Sequence, residues 1–144
     1  MATGDFEDPL RSYHFRVEVR DLAVAHFSSC SGIEARVHRT TYRAGGEGMV
    51  VHQLPTMVEF SPCVLRWGVT DSNELWDWMQ LSLGGKPDRR EISVIMLDPD
   101  GAERRRYNLM EAWPCEWRAA PLDAQSHQVA IETMVVAYES LGQG

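Results

Sequence analysis

Long apolar runs are missing from this chain: no stretch reaches the roughly 18 residues that a bilayer-spanning helix requires. The opening segment MATGDFEDPLRS carries three acids and no apolar stretch, unlike a secretory leader, so the expectation is a soluble, cytosolic protein. Cysteine is scarce. Cys30, Cys63 and Cys115 stand far apart, and no two form C-x-x-C. An odd number without a leader argues against a disulfide framework, and the three read as reduced, mostly buried thiols. Lysine is nearly absent, with Lys86 beside 13 arginines. Arginine suits planar, two-pronged pairing at interfaces. The 21 acids outnumber the 14 bases, giving a formal net charge of −7. That sign offers no general attraction to a phosphate backbone. The densest basic cluster, Arg104-Arg105-Arg106, reads as exposed strand or turn rather than a nucleic-acid site.

Catalytic patterns are missing too. The five histidines are His14, His26, His38, His52 and His127, and neither HxH nor HExxH occurs. They read as solvated or hydrogen-bonded side chains rather than metal ligands. Cys30-Ser31-Gly32 is not a G-x-S-x-G elbow and leads into a strand, so it reads as the turn or bulge that ends one. Gly45-Gly46-Glu47-Gly48 has no Lys-Ser/Thr after it and opens no helix, which excludes a phosphate loop. Trp76, Trp78, Trp113 and Trp117 have the composition of a sugar or nucleobase site, but their spacing favours core or interface anchors. No enzyme, metal or cofactor is expected.

What is present is the balance of one globular domain: 144 residues, 44% hydrophobic and 24% charged, enough to bury a core without staples. No repeat, low-complexity tract or linker divides it. The reading is mainly β. From Ser12 to Val19, Tyr13, Phe15, Val17 and Val19 alternate with His14, Arg16 and Glu18, the period of a strand buried on one face. Arg20-Asp21 turns the chain into a second apolar run, Leu22 to Phe27. A third segment, Ile33 to Arg43, alternates Ile33, Ala35 and Val37 with Glu34, Arg36 and His38, then outruns the core. Gly45, Gly46 and Gly48 mark a bent tip. Met49 to Leu54 returns as the other arm of a long hairpin. Pro55 and Pro62 bracket a less regular stretch before a strand at Val64–Val69.

One helix is expected, from about Ser72 to Ser82, with Asp71 and Glu74 as a capping box. Its apolar face is Leu75, Met79 and Leu83, flanked by Trp76 and Trp78. Gly84-Gly85 and Pro87 stop it. Ile92–Leu97 and Arg105–Glu111 flank Asp98-Pro99-Asp100-Gly101, a hairpin turn, and Trp113-Pro114 closes that unit. The last strand runs from about His127 to Tyr138, with Val129, Ile131, Val135 and Ala137 on one face. Residues 1–8 and 141–144 are candidates for flexible or interface arms. The sum is an antiparallel barrel or sandwich with one flanking helix and a long protruding hairpin.

Taken in order, these segments resemble the tail-tube proteins of contractile phages and of phage-tail-like injection particles. Asp8-Pro9 with Tyr13–Val19 is similar to the family's opening strand, and Phe27-Ser28-Ser29-Cys30-Ser31-Gly32-Ile33-Glu34 to its F-x-x-x-S-G-L/I-E step. Tyr42-Arg43-Ala44-Gly45-Gly46 is similar to its Y-R-x-G-G tip, and Leu54-Pro55 to the L-P that follows. Leu65-Arg66-Trp67-Gly68-Val69-Thr70 and Leu75-Trp76-Asp77-Trp78 resemble its L-K-R-G-x-T strand and L-x-x-W helix. Asp98–Gly101, Ala112-Trp113-Pro114 and Val129–Glu132 complete the order. Trp67 stands where arginine is usual, and Thr56 where glycine commonly follows Leu-Pro.

The resemblance implies a fold like that of type VI secretion tube proteins. It implies hexameric rings that stack into a tube inside a contractile sheath. Baseplate or hub and terminator proteins would sit at the tube's ends, with cargo or a tape-measure protein in its channel. It implies no cofactor, no sequence-specific nucleic-acid contact and no membrane insertion by the monomer. Contacts between copies are expected at Tyr42, Arg43, Gly45, Gly46, Glu47 and Gly48, and at Asp5, Phe6 and Asp8 of the opening arm. Leu75, Trp76, Met79 and Trp113 are expected to serve the core. Two other readings stand beside this one: a tube initiator or baseplate adaptor of the same family, and a monomeric small-molecule-binding barrel.

Overall fold

A computed structural model describes residues 9–12, 14–22, 26–43, 45–46 and 48–144. The expectations for Asp5, Phe6, Asp8, Tyr13 and Glu47 lie outside these residues, as does the middle of the Leu22–Phe27 run. In chain order the elements are β1 (Phe15–Val19), β2 (Phe27–Ser31), β3 (Glu34–Tyr42), β4 (His52–Ser61), β5 (Cys63–Gly68), α1 (Glu74–Leu83), β6 (Arg90–Leu97), β7 (Glu103–Arg118), β8 (Ile131–Ala137) and β9 (Ser140–Gln143). The pairings are antiparallel throughout. One path runs β1-β6-β7-β8-β5-β2, with β9 also on β7, while β3 and β4 form a separate two-stranded ribbon.

The alternation read in β1 is real: Val17 and Val19 are buried and Arg16 is exposed. The described part of the second strand runs from Phe27 to Ser31, beside Gly32, whose φ is +87°. In β5 the period is cleanest, with Cys63, Leu65 and Trp67 buried and their neighbours half-buried. Met134 and Val136 face them from β8, with Tyr138 just beyond it, and Ile92, Val94 and Leu109 complete the core from β6 and β7. Val129 is 75% exposed and precedes the strand, and β8 buries Met134 and Val136 as well as the expected Val135, while Ile131 and Ala137 are half-buried.

The helix covers the core as expected, on a shifted face. Leu75, Trp78 and Met79 are buried at i, i+3 and i+4, whereas Leu83 is 64% exposed because the helix ends there. Trp78 Nε1 donates to the Asp88 carbonyl at 2.7 Å, which fixes the chain after the helix beneath it. Asp71 does not cap. Asn73 is the capping residue and makes no side-chain bond, while Ser72 Oγ accepts from the Glu74 amide at 3.5 Å. At the other end the Gly84 amide donates to the Gln80 carbonyl and the Lys86 amide to the Leu81 carbonyl. Gly85, at φ +83°, lets the chain leave.

The β6–β7 turn forms around Asp98, whose Oδ1 accepts from the Asp100 and Ala102 amides at 3.0 and 2.9 Å. Trp113-Pro114 does not close this unit, because β7 continues through both residues to Arg118. Its first part pairs with β6 on one edge and β9 on the other, and its last part pairs with β8. Between them Glu111 adopts φ +54°, and the Glu139 amide reaches across to the Met110 carbonyl at 3.0 Å. The two neighbouring strands thus bend together at one corner, as bulged strands do. The 141–144 segment belongs to the sheet rather than to a loose arm: Leu141 pairs with Leu109 and packs on the core.

Candidate assembly surface

Gly32 and Pro62 set where the ribbon leaves the body. They separate β2 from β3 and β4 from β5, so the ribbon is the outward continuation of the β2–β5 pair. A Cβ on Gly32 would stand 2.5 Å from the Pro62 carbonyl oxygen, so only glycine permits this approach as well as this φ.

From that root the ribbon extends ten residues along β4, about 30 Å at ordinary strand rise. Val37 lies opposite Val58, and Ala35 opposite Phe60, so these four share one face. Glu34, Arg36, His38 and Glu59 lie on the other. There His38 Nε2 meets Glu59 Oε2 at 2.5 Å, Arg36 approaches the same carboxylate at 3.7 Å, and Ser61 Oγ donates to Glu34. The alternation read from the sequence is therefore present, but Ala35 and Val37 are exposed rather than buried, because no second layer lies over them among the described residues. Val37 is 53% exposed and Val58 61%. Phe60, nearest the root, is covered, its ring 5.7 Å from that of Tyr138. The stretch between Pro55 and Pro62 is regular strand. Pro55 lies opposite Arg39 next to a register shift, where the missing amide costs the ladder least.

The distal end gathers the described residues expected at contacts between copies. Tyr42 closes β3 with its ring 5.8 Å from that of His52, and Arg43 is exposed. A Cβ on Gly45, Gly46 or Gly48 would meet no described atom within 4 Å, and the last two are at positive φ. Met49, Val50, Val51 and Leu54 continue the exposed apolar surface down the returning arm. The expected core residues divide. Leu75 and Met79 are buried, Trp76 is half-buried against Trp117 with centroids 5.1 Å apart, and Trp113 is half-buried under the Arg89 guanidinium.

Sequence reading missed Met57 and Val58, which a strand of ten residues brings to the ribbon, and it missed the root. The root was signalled by Gly32 and Pro62, each standing next to a strand end in the sequence. It also missed the aromatic row Phe27–Trp67–Trp117–Trp76, whose successive ring centroids are 5.8, 5.4 and 5.1 Å apart. Cys115 is exposed, against the expectation of burial, while Cys63 is fully buried and Cys30 partly so. Among the described residues no group of three His, Cys, Asp or Glu side chains is placed to hold a metal ion. No helix among them is long and apolar enough to cross a membrane.

Residues 11–142 match the model of the T4-like virus tail tube protein gp19 family. No curated protein sequence matches the chain. Among solved structures, it superposes on a chain of the sheath–tube complex of the PVC extracellular contractile injection system, in its extended state, with a TM-score of 0.87. Identity is 23%, and the match covers 96% of this chain and 93% of that one. A chain of the tube-terminating cap of the anti-feeding prophage gives a TM-score of 0.89 at 19% identity, covering 100% and 99%. A type six secretion system protein gives 0.67 at 10% identity, covering 91% and 82%. These likenesses are of fold: a mainly antiparallel β domain with a flanking helix.

Proposed function

The chain belongs to the T4-like virus tail tube protein family, and from that membership we propose that it is the repeating subunit of an inner tube, with hexameric rings stacked around a central channel. It works by shape and self-contact rather than by catalysis. A contractile sheath surrounds the tube, baseplate or hub and terminator proteins meet its ends, and cargo or a tape-measure protein occupies the channel. Assembly follows synthesis in the cytoplasm, after which the tube is part of a phage tail or an injection particle.

The ribbon β3–β4 carries this reading. A two-stranded hairpin is marginal on its own, and this one extends with an uncovered apolar face. A second copy that covers Val37 and Val58 accounts for both the length and the patterning. Among the described residues the strand path also ends in two open edges, β1 and β2, which sheet joining between copies would satisfy. Repeated heterologous contacts of this kind close into a ring or continue as a filament.

Negative-stain electron microscopy of the purified chain across a concentration series tests the reading. Rings or tubes with a regular axial repeat are expected. Replacing Gly45 and Gly46 with valine should leave a folded monomer that does not polymerise, because a Cβ at either position meets no described atom within 4 Å and the strain at Gly46, at φ +92°, is confined to an exposed turn. Unchanged tubes would remove the tip from the contact. The likeness to a tube-terminating cap favours a second reading, an end component, which would give rings that do not extend.

A further inference from the structure

The row of tryptophans borders a cavity of about 280 Å³ at the start of α1, walled by Trp67, Trp76 and Trp117 and rimmed by the carboxylates of Glu74 and Glu132. Glu132 lies directly opposite Trp67 across the β5–β8 ladder, so both point to the same face. Neither carboxylate has a hydrogen-bond or ion-pair partner for its side chain among the described residues. Aromatic walls with unpaired carboxylates at the mouth suit a planar cation, which stacks on indole and pairs with carboxylate at once.

The complement stands at the other end of β7. Within Arg104-Arg105-Arg106, Arg106 is held by Glu103 at 2.8 Å and Arg104 approaches Asp98 at 3.8 Å. Arg105 is exposed and has no carboxylate partner among the described residues. Trp117 and Arg105 lie on one strand, roughly 40 Å apart if it were straight. They cannot meet within one copy, but head-to-tail repetition brings the end of one copy against the beginning of the next.

We propose that the Trp67–Trp76–Trp117 cavity is a guanidinium socket, and that its occupant is Arg105 of a second copy of this chain in the adjoining ring. The inference rests on the stacked-tube reading and assigns to it a specific axial contact. Arginine rather than lysine is the fitting cation, since a flat guanidinium can lie against an indole while its N–H groups donate to Glu132.

Charge exchange tests it on the full chain, read by tube mass in sedimentation and by tube length in electron microscopy. Arg105→Glu and Glu132→Arg should each reduce sedimentable tube by about tenfold or more, the effect of losing one well-formed charged contact. The double variant should recover to within about threefold of the original, because the pair is restored with its signs exchanged. Glu132→Gln, nearly isosteric, repeats the loss should Glu132→Arg fail to fold, and the melting temperature of each monomer checks folding. Single variants that polymerise like the original chain, or a folded double variant that does not recover, would overturn the socket while leaving the tube reading intact. Recovery of Glu132→Arg by Arg43→Glu instead would give the socket a different arginine and overturn the assignment of Arg105. An original chain that forms neither rings nor tubes would remove the tube reading and this inference with it.

Discussion

The sulfur atoms of Cys30 and Cys63 face each other at 3.5 Å across the root of the ribbon. Cys30 closes in on Gly32 from β2, and Cys63 is the first residue of β5 after Pro62. One thiol donates to the other. That bond stabilises the Cys30 thiolate and lowers its pKa below the ordinary thiol value, with burial opposing. It raises that of Cys63, with burial adding to the rise. Cys115, whose thiol is raised chiefly by partial burial and then by the Glu116 carboxylate, lies on a separate strand segment.

Thiol chemistry should therefore be selective. The thiolate is the reactive form, so a group with a lowered pKa reacts at a lower pH than one with a raised pKa. Near pH 7, iodoacetamide should modify Cys30, which lines an open surface cavity, before the more exposed Cys115. Raising the pH toward 10 should narrow the difference. With diamide in place of the alkylating agent, the two thiols at the root should lose two electrons and two protons to the reagent. They would close from 3.5 Å to the ~2.0 Å of an S–S bond. Peptide mass spectrometry reads both results, and a Cys115 adduct appearing first at pH 7 would contradict the assignment.

Gly32→Ala should destabilise the monomer. The left-handed φ alone costs an L-residue about 1–2 kcal/mol, and the new Cβ would press on the Pro62 carbonyl at 2.5 Å. A fall in melting temperature of about 5–10 °C is expected, measured by circular dichroism. Gly45→Ala, with nothing within 4 Å and no positive φ, serves as the control and should melt with the parent.

Trp78 separates packing from hydrogen bonding. It is 1% exposed, so Trp78→Ala should cost about 3–5 kcal/mol in chemical denaturation. Trp78→Phe keeps most of the ring but leaves the Asp88 carbonyl without its donor, and should cost about 1–3 kcal/mol. Equal losses from the two variants would show that the indole N–H, not the ring volume, holds the helix down.

Val37→Ser with Val58→Ser should separate stability from assembly. Both side chains are more than half exposed in one copy, so monomer stability should change by no more than about 0.5 kcal/mol each. Tube formation, read by sedimentation, should fall sharply. Intact tubes from the double variant would mean that this face is not covered by a second copy.

Local signals carried much of the fold. Val17 and Val19, the Asp98 turn and the Gly84-Gly85 stop depend on residues close in sequence, and each lies where its pattern points. Prolines misled, because a proline reads as a break, whereas Pro55 and Pro114 both stand beside register shifts that accommodate a missing amide inside a strand. The burial of Met134 and Val136 was hidden because β-branched side chains occupy both faces of β8. Ala35 and Val37 show why the assembly surface reads as ordinary core: an alternating strand has the same pattern whether its cover comes from its own chain or from a neighbour. The Cys30–Cys63 contact, joining residues 33 positions apart, is visible only once β2 lies on β5.

Because β7 belongs to both parts of the sheet, it is also a mechanical spine. A thrust along its axis enters the ladders to β6 and β9 at one end and the ladder to β8 at the other. Those hydrogen bonds run across the strand, so an axial load shears many of them together instead of peeling them one after another. The bend at Glu111 is the point where that thrust changes direction, and the Glu139 amide, between β8 and β9, bonds to the Met110 carbonyl beside it. A subunit wired in this way carries an axial load on many hydrogen bonds at once rather than on any single pairing.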